Sequence, residues 1–181
     1  MATVREGRKG PYVAKWIAEK ARQNGKFAVE VIDLKAENLP MMNEPNHPRF
    51  QKYMYDYTKS WSAKIASAEA FVFVTAEYDF NYPAPLRNAL EYLYKEWNYK
   101  PAAIVSYGGV SAGTRAFISL KNDLSSLKMA ALADAVHIPF FEQFIHDEQF
   151  VPNDVLEKSA EQVLNELARW CKGMKVIREN S

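Results

Sequence analysis

The sequence predicts a doubly wound α/β domain, and three observations carry that reading. The runs Ala70 to Ala76 and Ala102 to Gly108 are almost continuously apolar, as suits strands buried on both faces of a parallel sheet. Stretches with apolar residues at helical spacing lie between and after them. The polar and glycine-rich segments fall directly after the strands, where open α/β sheets bind ligands.

Taken in order, Pro11 suits the first turn of a helix, and Val13, Trp16, Ile17 and Ala21 continue it until Asn24-Gly25. The β-rich segment Phe27 to Leu34 reads as a strand. Asn38 to Phe50, with three prolines, reads as a long loop. Helical patterns follow over Phe50 to Ser67, over Pro83 to Trp97 and over Thr114 to Leu127. A weaker strand around Ala135 to Phe141 precedes a last amphipathic helix, Asn153 to Lys172. At 181 residues, 48% hydrophobic and 25% charged, the chain is expected to form a single domain, residues 1–181.

Charge and rare residues exclude several function classes. A net charge of +1 provides no basic field for nucleic acid. The lone Cys171 forms no internal disulfide, and His47, His137 and His146 fall in no metal-ligand spacing. Cytoplasm is the expected location, because there is neither a signal-peptide apolar stretch nor a run long enough to span a bilayer. No Ser/His/Asp or Cys/His constellation is found, nor a dinucleotide fingerprint or Walker loop.

Three loops remain. Thr3 to Pro11 places a hydroxyl, Arg5, Arg8, Lys9 and two glycines before a helix N-terminus, which suits a phosphate monoester. The turn Glu77-Tyr78-Asp79-Phe80-Asn81 follows one strand, and Ser106 to Arg115, with Gly108, Gly109 and Gly113, follows the next. Each has a bland alternative: a solvated tail for the first, a helix-capping carboxylate for Glu77, a tight connection capped by Thr114 for the last.

In this order the loops resemble the NADPH-dependent FMN reductase and quinone reductase family, which has a flavodoxin-like fold. That family has a G-S-x-R phosphate loop, a P-E-Y-N turn leading into a P-x-x-L-K-N-A-[LI]-[DE] helix, and an S-x-G-x-x-G-G-x-R loop. The matching residues are Thr3-Val4-Arg5, Glu77-Tyr78-Asp79 with Pro85-Leu86-Arg87-Asn88-Ala89-Leu90-Glu91, and Ser106-Tyr107-Gly108-Gly109-Val110-Ser111-Ala112-Gly113-Thr114-Arg115.

The resemblance implies a three-layer sheet that binds FMN, with its phosphate on Thr3, Arg5 and backbone up to Gly10. It implies that the isoalloxazine ring rests on Glu77, Tyr78, Asp79 and Phe80 and on Ser106, Tyr107, Gly108 and Gly109. NADPH or NADH would pass hydride to the flavin and leave, and a small-molecule acceptor such as a quinone, an azo dye or free flavin would take its place. Arg115 is a candidate for contact with a 2′-phosphate. No catalytic side chain is required. A homodimer or homotetramer is implied, with Tyr92, Tyr94 and Trp97 open to either an interface or a core role.

Three departures stand out. Ala76 replaces the family's proline. Asp79 replaces its asparagine and places a carboxylate where it would disfavour an anionic reduced flavin. Only Met1 and Ala2 precede Thr3, so the first strand is missing from this sequence. A non-catalytic relative that binds flavin weakly, or serves as an interaction protein, is the alternative.

Overall fold

Proline in the first turn of a helix forfeits no hydrogen bond, and Pro11 follows the first residue of α1 (Gly10–Gln23) in the computed structural model, which describes residues 1–180. The short helix α2 (Leu34–Glu37) and helix α3 (Asp56–Ser67) come next. Strand β1 (Phe71–Ala76), helix α4 (Ala84–Glu91), strand β2 (Pro101–Tyr107) and helix α5 (Thr114–Ser126) then alternate. Strands β3 (Ala130–Ala131) and β4 (Val136–Ile138), a hairpin of β5 (Ile145–His146) and β6 (Gln149–Phe150), and helix α6 (Asp154–Glu179) complete the order.

β1 and β2 pair in parallel from Phe71 opposite Ala102 to Ala76 opposite Tyr107. β3 and β4 both pair in parallel with β2 and act as one interrupted strand, the register slipping by two residues between them. Every residue of β2 is buried, as its apolar run requires. Alternation divides the core into two layers. Ala103, Val105 and Tyr107 pack with Val13, Ile17, Val163 and Leu167 of α1 and α6, whereas Ala102 and Ile104 pack with Ile65, Leu90 and Leu120 of α3, α4 and α5. The result is the predicted doubly wound, three-layer parallel sheet.

The free edge of β1 differs from expectation. Phe27 to Asp33 pairs with no strand, and Leu34, expected to end a strand there, instead opens α2. The Ala2 N–H donates to the Val74 carbonyl at 2.9 Å. On the other side the Leu34 N–H donates to the Met1 carbonyl at 3.3 Å, and the Met1 ammonium donates to the Ile32 carbonyl at 2.9 Å. Met1 and Ala2 thus hydrogen-bond to the segments on both sides of them, as a strand does. The flanking segments have not closed on each other, and a cavity of about 750 Å³ lies between them.

Three helices also start or stop elsewhere, α6 running on to Glu179 rather than ending at Lys172. α3 begins at Asp56 rather than Phe50, because the Glu44 carboxylate accepts from the Met54 and Tyr55 N–H groups and holds the approach as a loop. α4 stops at Glu91. The buried Glu96 carboxylate beyond it takes hydrogen bonds from Tyr53, Gln51 and Ser62. Tyr92 and Trp97 are therefore core residues rather than interface residues: the Tyr92 hydroxyl donates to the Pro40 carbonyl, and Trp97 packs on Phe71 and Trp61.

Candidate functional site

The strand-end loops are built from backbone geometry first. After β1, Tyr78 and Asn81 exchange both backbone hydrogen bonds, at 2.8 and 2.9 Å, around Asp79 and Phe80. Both central residues have positive φ, 48° and 65°, the pattern of a type I′ turn. Asp tolerates that region, but a bulky Phe does not adopt it freely. Phe80 is held there exposed, with the Arg115 guanidinium 3.9 Å from its ring centroid.

The loop after β2 needs glycine at one point above all. Gly113 has φ of 76°, and a Cβ there would stand 2.9 Å from Ser106 Cβ and from the Tyr107 nitrogen. That close approach tucks the loop under the end of β2. Ser106 Oγ donates to the Ala112 carbonyl at 2.9 Å and lies 2.7 Å from Nδ1 of His137, against which Phe117 packs edge-on. Burial holds the His137 imidazole below its ordinary pKa. Gly108 and Gly109 accept through their carbonyls from the Phe141 and Phe140 N–H groups, so a third loop, after β4, closes over them.

Glu77 ties the two strand-end loops together. Its carboxylate accepts from Ser111 Oγ at 3.1 Å, from Arg115 Nε at 2.6 Å and from the Arg115 N–H at 3.2 Å. It thus caps α5, not the helix that follows it in sequence. Burial pushes its pKa up, but the bonds from Arg115 and Ser111 outweigh burial and hold it below the usual carboxylate value.

The third segment approaches from the chain start. Thr3 is buried, and its hydroxyl lies 3.5 Å from the Tyr107 hydroxyl, both beside Gly10. A Cβ on Gly10 would stand 2.5 Å from Thr3 Oγ1 and 2.6 Å from the Tyr107 oxygen, so only glycine leaves that floor open. α1 begins here with no side-chain cap and no acidic residue in its first turn, so its positive end is uncompensated. Burial pushes the Tyr107 phenol up to about 12, which keeps it a neutral donor. Arg5 reaches across to donate to the Tyr78 hydroxyl at 3.0 Å. Arg8 is committed elsewhere: it grips both Asp33 oxygens at 2.5 Å and donates to the Thr3 carbonyl at 2.6 Å.

Thr3, Arg5, Gly10, Glu77 to Phe80 and Ser106 to Gly109 therefore lie together at one edge of the sheet. Thr3, Gly10 and Tyr107 share one cradle, Arg5 and Tyr78 bridge it to the β1 turn, and the Glu77 N–H donates to the Tyr107 carbonyl at 3.3 Å. The exposed Asp79 joins them through its backbone turn. Sequence reasoning missed the part of His137 and the Phe140-Phe141 loop, and the bond by which Ser111 of the glycine-containing loop holds Glu77. His137 lies on an irregular strand with no motif around it, and its only legible signal is a position after an apolar run at the same sheet edge. The chemistry of the donors, a helix start with two neutral hydroxyls and an arginine, suits a phosphate monoester beside a broad polar shelf.

Comparison with known proteins agrees with this geometry. Residues 1–143 match the family model described as NADPH-dependent FMN reductase. An NAD(P)H-dependent FMN reductase of Schizosaccharomyces pombe is 44% identical over 131 residues, covering 71% of this chain and 65% of that protein. The chain thus spans just under two thirds of that relative. One from Saccharomyces cerevisiae is 34% identical, covering 77% of this chain and 78% of its own length. Among solved structures, the flavoenzyme NAD(P)H:acceptor oxidoreductase of Paracoccus denitrificans superposes with a TM-score of 0.78 at 19% identity, covering 96% of this chain and 94% of that one, a likeness of fold. The chain belongs to the NADPH-dependent FMN reductase family, flavodoxin-like oxidoreductases that work with FMN and NAD(P)H.

Proposed function

We propose that this protein is an FMN-dependent NAD(P)H oxidoreductase that reduces quinones, free flavin or similar planar acceptors. The observation that carries the reading is the cradle at Gly10, where the α1 N-terminus, Thr3 Oγ1 and the Tyr107 hydroxyl converge beside the two strand-end loops. The named activities of the relatives, including an NADPH azoreductase of a Bacillus species 26% identical over 92% of this chain, support the acceptor class.

In this reading Thr3, Arg5 and the backbone to Gly10 hold the phosphate. The Glu77 to Phe80 turn and the Ser106 to Gly109 loop support the ring edge with backbone groups whose geometry is fixed before binding. Bound FMN supplies the hydride acceptance and donation that the side chains do not. The protein's own contribution is position. Glu77 sets the spacing between the two ring loops, His137 fixes the Ser106 hydroxyl, and the exposed Phe80 with Arg115 above it forms the wall that an incoming planar substrate meets.

The reading includes a cytoplasmic location and a homodimer. A lone cysteine supports the first, and no helix among the described residues is long and apolar enough to cross a membrane. The exposed Met41 and Phe50 on the proline loop, with Met54 beyond it, offer apolar surface for the second. The same reading takes residues 1–181 as one domain, supported by the continuous sheet that joins β1 to β4.

The test is steady-state turnover of FMN-loaded protein with NADPH and a benzoquinone. Parallel double-reciprocal lines are expected, since both substrates use one pocket in turn. Absence of turnover from protein shown to hold FMN would favour a non-catalytic flavin binder.

A further inference from the structure

The turn after β1 carries a side chain that its backbone does not call for. A type I′ turn favours Asn or Asp followed by glycine, and Asp79 fits the first of these positions. Phe80 stands in the glycine position with φ of 65°, a conformation that a bulky residue adopts only at a cost. Packing returns little for that cost, because Phe80 is 67% exposed. The one cation or ring set against it among the described residues is the Arg115 guanidinium, 3.9 Å from the ring centroid. Arg115 is held in turn, since its Nε and Nη2 both pair with Glu77. The phenyl ring is thus steadied by Arg115 and otherwise open.

The neighbouring loops present apolar side chains in the same way. Phe140, after β4, is exposed at φ of 44°, and Val110, after β2, is exposed as well. Hydrogen bonds join the three loops into one frame. Glu77 accepts from Ser111 and Arg115, and the Phe140 and Phe141 N–H groups donate to the Gly109 and Gly108 carbonyls. Three apolar side chains therefore stand at one edge of the sheet on a frame that is set before a ligand arrives.

Charge on this frame is one-sided. Glu77 and Arg115 neutralise each other. The inference rests on the FMN-dependent reading, in which Arg5 is taken up by the phosphate. Asp79 and Glu142 are both exposed, and among the described residues neither makes an ion pair. Asp79 is the residue beside the phenyl ring. An anion stacked on Phe80 would lie near its carboxylate, with no free cation on these loops to offset the repulsion.

We propose that Phe80 and Asp79 set the choice of acceptor: Phe80 is the stacking face for an uncharged planar aromatic acceptor, and Asp79 disfavours an anionic acceptor of the same shape. Uncharged quinones fit this selection, whereas sulfonated dyes and oxyanions do not.

The test is calorimetric binding of two redox-inert ligands of matched shape, naphthalene-2-carboxamide and naphthalene-2-carboxylate, to protein in saturating FMN. The amide is expected to bind about fivefold more tightly at low ionic strength, and the gap should shrink with added salt. Asp79→Asn should bring the two affinities within about twofold of each other. Phe80→Gly should weaken both ligands about fivefold and keep their ratio, while the melting temperature stays level or rises because glycine suits the turn. A residue with a merely structural role would lower the melting temperature when removed. Equal affinities in the unmodified protein, a ratio unmoved by Asp79→Asn, unchanged binding in Phe80→Gly, or no binding of either ligand would overturn the proposal. Neither ligand accepts hydride, so quinone turnover, which tests the oxidoreductase reading, succeeds or fails separately.

Discussion

Glu77, at the end of β1, holds Arg115, in the first turn of α5, through both its side chain and its backbone N–H, at 2.6 and 3.2 Å. One carboxylate therefore fixes the distance between the two loops that flank the site. Glu77→Gln keeps the shape and removes the charge. It should lower stability by about 1–3 kcal/mol, measured by urea unfolding at neutral pH. Because the folded pKa of Glu77 is depressed, its contribution is full above the ordinary carboxylate value and is lost as pH falls below it. The acid limb of the melting profile should be shallower in the glutamine variant, and an unchanged limb would remove Glu77 from that role.

Gly10 is the most sterically constrained position of the cradle. Gly10→Ala drives a methyl against Thr3 Oγ1 and the Tyr107 oxygen, and is expected to cost about 1–3 kcal/mol and to weaken FMN binding. Adding Tyr107→Phe removes one of the clashing oxygens. A double-mutant cycle should show positive coupling, with the second change less harmful in the alanine background than alone. Additive losses would mean that the two residues act independently.

Asp79 occupies a type I′ turn position that asparagine also favours, so Asp79→Asn should leave the fold intact. Removing its charge from the ring shelf is expected to raise the midpoint potential of bound FMN by roughly 20–30 mV. Spectroelectrochemistry of both proteins measures the shift. A change in the opposite direction would place the carboxylate away from the ring.

Most of the sheet was legible because β2 and the Phe73 to Ala76 part of β1 are buried, and burial of that kind leaves an unbroken apolar run such as Ala102 to Val105. The loops were legible through residue types with few other uses in combination, among them Glu77-Tyr78 and the glycines of the Ser106 loop. What escaped depends on distant partners. Nothing local ends α4 at Glu91 or starts α3 at Asp56, since the carboxylates of Glu96 and Glu44 that organise those loops find their partners across the fold. Phe27 to Leu34 has the composition of a strand, but a strand also needs a neighbour along its length, and here hydrogen bonds reach the segment only at Ile32 and Leu34.

The central claim is that the Thr3 to Gly10 segment recognises a phosphate while the strand-end loops hold a ring. Calorimetric titration of the apo protein with FMN and with riboflavin separates the two halves of that claim. A charge-assisted phosphate contact is worth about 1.5–3 kcal/mol, so FMN should bind at least about tenfold tighter, and Arg5→Ala should remove much of that difference while leaving riboflavin affinity unchanged. Equal affinities for FMN and riboflavin in the unmodified protein would contradict the account.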